Sequence, residues 1–154
     1  EQDEDELVVA QQPRRPSDSP DGTWTAFIKE NNVWLRDRKT KEETRLSKDG
    51  KPEDSYGRVF WSPDSKRLIA IKTKAGGDRK VTLVESSPKD QLQPKTSTIN
   101  YLKPGDAIPL AKPHLFDIEN TKEIGVSDEL FPNPWDVSHE HWSKDGKQFH
   151  FVYN

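Results

Sequence analysis

Two imidazoles two residues apart, His139 and His141 in "SHEHW", are the first groups whose spacing could carry chemistry. On a strand they would share a face, and imidazole nitrogens are common ligands of divalent metals. His114 and His150 are the other imidazoles such a site could draw on, but nothing in the spacing brings them together. Their ordinary reading is half-exposed strand residues. "KAGGD" and "KPGD" place Gly beside Lys, yet neither is followed by the Gly-Lys-Ser/Thr that cradles phosphate, so both read as hairpin loops. The Gly-x-Ser-x-Gly elbow of a serine hydrolase is absent. With no Cys, disulfides, thiol catalysis and zinc-thiolate sites are excluded. No catalytic, cofactor-binding or metal residue is therefore assigned.

The elements that would position any site are strands. "SPDG" from Ser19 is a type I turn sequence, with Pro second and Gly fourth. It precedes "TWTAFIKENNVWLRD", in which Trp24, Ala26 and Ile28 alternate with Thr25, Phe27 and Lys29. Tight turns are expected at Asn31–Asn32 and around Lys39–Lys41. The phrase returns as "WSPDSKRLIAI" from Trp61 and as "WSKDGKQFHFV" from Trp142. After the second copy, "RLIAIKTK", "RKVTLVES", "KTSTINYL" and "HLFDIEN" read as the four strands of one unit. "SPKDQLQP" and "KPGDAIPLAKP" read as Pro-rich loops, because Pro is excluded from central strands. "SDELFPNPWDVSH" is a further loop, and no stretch carries a helical stripe.

Ser19 and Ser62 are 43 residues apart, and Ser62 and Ser143 are 81 apart. A period in the low forties with four short strands per unit is the pattern of propeller blades. The fold class is thus all-β: a partial β-propeller of four-stranded antiparallel blades, about two blades plus the start of a third. The expected division is an acidic, Pro-rich segment over 1–18, with one strand at Leu7–Ala10, and a propeller fragment over 19–154. Blade units fall near 19–61, 62–142 and 143–154, the last incomplete. Two blades cannot close a ring, and the chain contains no Met, so it reads as a processed or excised piece of a longer protein.

Trp61 and Trp142 stand at equivalent places before the turn and are expected to pack between neighbouring blades. Trp135 lies outside that scheme and is expected to be exposed. Of the 154 residues, 33% are charged and 30% apolar, and the net charge of −3 gives no basis for a nucleic-acid partner. Basic runs such as Lys72–Lys80 are interleaved with acids and read as solvated outer strands. No apolar stretch approaches the roughly 18 residues of a membrane span.

The order "SPDGTWTAFIKENNVWLRD", "WSPDSKRLIAI", "NYLKPGDAIP", "HLFDI", "HWSKDGKQFHF" resembles the N-terminal β-propeller of dipeptidyl peptidase IV-type serine peptidases, in the prolyl oligopeptidase group. Residues 19–154 carry the resemblance, and "YLKPGDAIP" is its more specific stretch. The resemblance implies a C-terminal α/β-hydrolase domain bearing a Ser, Asp and His triad. The propeller would wall the chamber and gate peptide entry, and the parent would be periplasmic or secreted. This chain alone would not hydrolyse peptides. Its implied partners are the rest of its own chain, the parent's peptide substrate and, through open strand edges, a second copy. Family members carry paired glutamates in an insertion before the "WSP" turn, which hold a substrate's terminal ammonium. Here only "KPEDSYGRVF" separates Gly50 from Trp61, and Glu53–Asp54 is the acidic pair in that neighbourhood. Adjacent acids on so short a loop are ordinarily solvated, so release of dipeptides is not implied. The competing reading is a TolB-like propeller acting as a protein-interaction scaffold with no enzyme attached.

Overall fold

The computed structural model describes residues 16–154, and strands are their only regular elements. A first antiparallel sheet runs in the order β1 (Ser17–Asp18), β2 (Trp24–Lys29), β3 (Asn32–Asp37), β4 (Glu43–Arg45). A second is built of β5 (Asp54–Trp61), β6 (Arg67–Lys74), β9 (Leu110–Asp117) and β10 (Lys122–Ile124). Between β6 and β9 the chain leaves that sheet as a separate hairpin, β7 (Lys80–Glu85) and β8 (Lys95–Asn100). A third sheet holds β11 (Val137–Trp142) and β12 (Phe149–Tyr153). These are blades: two four-stranded meanders and a two-stranded beginning. The expected strand Leu7–Ala10 lies outside the described residues.

The repeated phrase folds the same way three times. In each turn the Ser hydroxyl donates to the Asp two residues on, at 2.6 Å for Ser19–Asp21, 2.6 Å for Ser62–Asp64 and 2.5 Å for Ser143–Asp145. That Asp accepts the N–H of Thr23, Lys66 or Lys147, and the Ser oxygen accepts the N–H of Trp24, Arg67 or Gln148. The fourth position has positive φ each time, at Gly22 (73°), Ser65 (59°) and Gly146 (68°). Ser65 tolerates this region because its hydroxyl accepts the N–H of Asp21 in the neighbouring turn at 3.0 Å. Each turn joins the first strand of a sheet to its second.

That placement corrects the expected strands of the second unit. Its first strand is β5, upstream of the turn, and the strands expected at 79–86 and 95–102 are the excursion hairpin, hydrogen-bonded only to each other. Alternation reports that a strand exists, while pairing depends on which backbone reaches which edge. β9 starts earlier than expected and includes Pro113, paired with Ile71 in an interior strand. The Pro is tolerated because β10 accompanies β9 only over Leu115–Asp117, leaving the outer side at Pro113 without a ladder partner. The first hairpin turns at Glu30–Asn31, both with positive φ, one residue before the expected Asn31–Asn32. Asn32 is buried instead, where its side-chain Oδ1 accepts Gly50 N–H at 2.9 Å and the Ser47 hydroxyl at 3.0 Å.

The core lies between the first two sheets: Ala26, Val33, Leu35, Leu46, Tyr56, Leu68, Ala70, Phe116 and Ile118. Ile69 and Ile71, on the opposite face of β6, are also buried, so β6 is covered on both sides and reads as the continuous apolar run "LIAI". Gly50 closes the loop beneath this core, where a Cβ would fall 2.0 Å from the carbonyl oxygen of Asn31.

Candidate functional site

The first strands of the sheets converge, and in a propeller these strands lie nearest the central channel. Trp61, last residue of β5, donates its indole N–H to the Ser17 carbonyl of β1 at 3.0 Å. Trp142, last residue of β11, donates to the Phe60 carbonyl of β5 at 3.0 Å. The equivalence of the two tryptophans therefore has a physical content. Each ties its blade to the first strand of the blade before it, with Phe60 packed on Phe149 across the second junction.

Both β5 and β11 carry a bulge just before the Trp. In β5, Gly57 and Arg58 oppose Ile71 alone, and in β11, His139 and Glu140 oppose Phe151 alone. The bulges re-aim their side chains so that Arg58 Nη2 stands 2.5 Å from Glu140 Oε1, and the same nitrogen donates to the Val137 carbonyl at 3.2 Å. The Glu140 side chain is only 6% exposed, whereas Arg58 is 57% exposed. A buried carboxylate thus holds a guanidinium whose far side meets solvent. Arg58 borders a groove of about 440 Å³ between the first two sheets, walled mainly by Phe27, Ile28, Val59, Phe60 and Ile71.

On the hairpin side of the second sheet lies a denser polar cluster. Lys72 Nζ meets Asp49 at 2.6 Å and Asp54 at 3.1 Å, and the Tyr56 hydroxyl donates to Asp49 at 3.0 Å. His114 Nδ1 is 2.7 Å from Glu123 and 3.5 Å from the Tyr56 hydroxyl. Burial, then the bond to Asp49, pushes the Tyr56 phenol well above its ordinary range. Burial opposes ionisation of Asp49, but its bonds from Lys72 and Tyr56 win and hold its carboxyl low. The Asp49 and Asp54 carboxylates share the one ammonium of Lys72, and the phenol stays protonated.

The residues singled out by sequence fall as follows. Asp54 faces Lys72, which it shares with Asp49, and Glu53 sits exposed on the adjoining turn, so the two do not form a joint carboxylate pocket. His139 and His141 do not share a face as alternation would have it, because His139 takes φ 57° at the bulge. His141 Nδ1 bonds the His139 carbonyl at 2.8 Å and its ring stacks on His150, while His114 lies in the other cluster. Among the described residues no group of three metal-ligating side chains converges. Trp135 is exposed, at 67%. Arg58 and Glu140 went unnoticed in the sequence. Gly57, an isolated glycine within a strand pattern, was the available signal for a bulge.

"YLKPGDAIP" anchors the excursion hairpin. Lys103–Asp106 is a turn with Gly105 at φ 93°, and the Asp106 carboxylate takes two bonds from Arg79, at 2.7 and 2.8 Å. Ala107 accepts the Gly77 N–H at 2.7 Å.

The dipeptidyl peptidase IV N-terminal region family matches residues 10–154. The chain belongs to that family. A probable dipeptidyl-aminopeptidase B of Penicillium rubens is 24% identical over 155 aligned positions, covering 84% of this chain and 17% of the relative. The dipeptidyl peptidase 4 of Porphyromonas gingivalis superimposes with a TM-score of 0.64 at 18% identity, covering 90% of this chain and 22% of that one. A putative dipeptidyl aminopeptidase IV of Bacteroides ovatus gives 0.60 at 15%, covering 90% and 20%. The chain spans about a fifth of the length of these relatives, and the structural likeness is one of fold. Within the family's N-terminal region, the residues described here supply first-strand junctions, a groove and an anchored hairpin. Among them, no helix is long and apolar enough to cross a membrane.

Proposed function

We propose that this chain is the non-catalytic propeller part of an exported serine peptidase of the dipeptidyl peptidase IV type. It gates substrate access and makes contacts for a C-terminal α/β-hydrolase domain encoded elsewhere in the protein. The observation that carries this reading is the family match over residues 10–154. The geometry supports a non-catalytic role for the residues seen: the serines beside aspartates, Ser19, Ser62 and Ser143, each spend the carboxylate on bracing their own turn.

Peptide hydrolysis in the parent proceeds through a serine acyl-enzyme, and the propeller acts on which peptides arrive. The chain works in the periplasm or outside the cell. The exposed hairpin, with Leu83 and Ile99 bare on it, adds contacts to a second copy. The Asp54 carboxylate turned to Lys72, with Glu53 exposed on the turn, argues against a paired-carboxylate clamp at Glu53–Asp54, so a free substrate N-terminus is not strictly required.

The full-length protein is assayed with Xaa-Pro peptides bearing free or acetylated N-termini. Cleavage of both, abolished by a serine-directed phosphonate, is expected, with none from residues 1–154 alone. Strict release of dipeptides from free N-termini contradicts the missing clamp. Absence of any peptidase activity favours the scaffold reading.

A further inference from the structure

The apolar groove between the first two sheets is filled by none of the described residues. Its walls are Phe27 and Ile28 of β2, Val59 and Phe60 of β5 and Ile71 of β6, around a space of about 440 Å³. Phe27, Ile28, Val59 and Phe60 are each half-buried there. β1 accompanies β2 only at Thr25 and Ala26, so among the described residues the inner edge of β2 at Phe27 and Ile28 has no strand beside it. An open strand edge among apolar side chains is a surface that folded proteins ordinarily cover.

The rim of the groove carries two features that select what covers it. Ser17, the first residue of β1, lines the groove, so the chain upstream of it departs from the groove itself. Arg58 is the cation on the rim, and its Nε and Nη1 have no partner among the described residues. Those two nitrogens lie on different edges of the guanidinium, so each suits a separate carboxylate.

Residues 1–15 lie outside the described part, and their sequence complements both features. Leu7, Val8, Val9 and Ala10 form an apolar run, and Glu1, Asp3, Glu4, Asp5 and Glu6 precede it. These five acids outnumber Arg14, Arg15 and Arg58 together. Ala10 stands seven positions before Ser17, a reach of up to about 25 Å in extended chain. So short a tether gives the segment a high effective concentration at the groove, which favours it over a second copy or a free peptide. The family match begins at residue 10, so the acids, Leu7, Val8 and Val9 lie outside the shared region.

We propose that this groove is the docking site of the chain's own upstream segment, with Leu7, Val8 and Val9 against Phe27, Ile28 and Val59 and the acids beside Arg58. Seated there, the segment straps the first sheet to the second and covers the inner edge of β2.

The test uses the full-length protein with p-benzoylphenylalanine in place of Val8, irradiated, digested and mapped by mass spectrometry. The expected crosslinks join position 8 to residues 27–28 or 57–60 of the same molecule. Hydrogen exchange then compares the unmodified protein with Leu7→Asp/Val9→Asp, which leaves every described residue untouched. Amides of residues 26–29 and 57–60 should exchange at least tenfold faster in that variant, and Asp5→Lys/Glu6→Lys should speed them in the same direction. Crosslinks to a second copy or outside the groove, no crosslink, or unchanged exchange in Leu7→Asp/Val9→Asp overturns the proposal. None of these readouts needs peptidase activity, so this proposal and the peptidase reading fail separately.

Discussion

At the scale of residues, the Ser-x-Asp turns make this fold sensitive to acid. Hydrogen bonds from Ser19, Ser62 and Ser143, then from backbone amides, hold the carboxyls of Asp21, Asp64 and Asp145 below their ordinary value of 3.8. A carboxyl lowered in the folded state stabilises the fold above its unfolded value, and that contribution is lost as pH falls through the folded one. Urea midpoints should therefore stay level from pH 7 to 5 and fall below about pH 4. Replacing the three aspartates by Asn should lower the plateau and flatten the acid arm. Gly50 gives a sharper test. A Cβ there collides with the Asn31 carbonyl at 2.0 Å, a backbone atom that cannot swing aside. Gly50→Ala should cost about 3 kcal/mol in a urea titration, the upper end of overpacking effects. The turn chemistry was legible in sequence because it is local, each Ser, Asp and amide lying within five residues. The need for Gly at position 50 was not, because the clashing oxygen belongs to a residue 19 positions earlier in the chain.

Between elements, polar contacts define the junctions. Trp142→Phe keeps the ring near Phe149 but removes the N–H that bonds the Phe60 carbonyl. It should cost about 1 kcal/mol, read as a shifted urea midpoint with unchanged slope. The excursion hairpin behaves differently. It is bonded to neither neighbouring sheet, and Lys74 faces Leu110 at its base. Replacing residues 75–109 by Asn-Gly should leave the second sheet folded, its unfolding free energy within about 1 kcal/mol. Loss of the far-ultraviolet strand signal in that deletion would return β7 and β8 to the blade. Here the sequence was half legible. "RKVTLVES" and "KTSTINYL" alternate as well as any blade strand, so their existence could be read from side chains. Their exclusion from the sheet could not, because backbone pairing leaves no mark in side-chain order.

The whole molecule carries unsatisfied strand surface. Leu83 (48% exposed) and Ile99 (43% exposed) lie on the hairpin, and an isolated two-stranded ribbon is marginal in water. Sedimentation equilibrium of the 154-residue chain should show self-association that Leu83→Lys or Ile99→Lys weakens. A monomer at all concentrations would remove the second copy from its partners. What the sequence determined by itself was the blade pattern: turns at Ser19, Ser62 and Ser143, period-two strands and junction tryptophans, all set by interactions near in the chain or by simple burial. The tertiary structure alone decided which strands pair, where β5 and β11 bulge and how Arg58 meets Glu140. Those two residues are 82 positions apart. Their meeting depends on the twist and spacing of two sheets, which no local preference of either residue encodes.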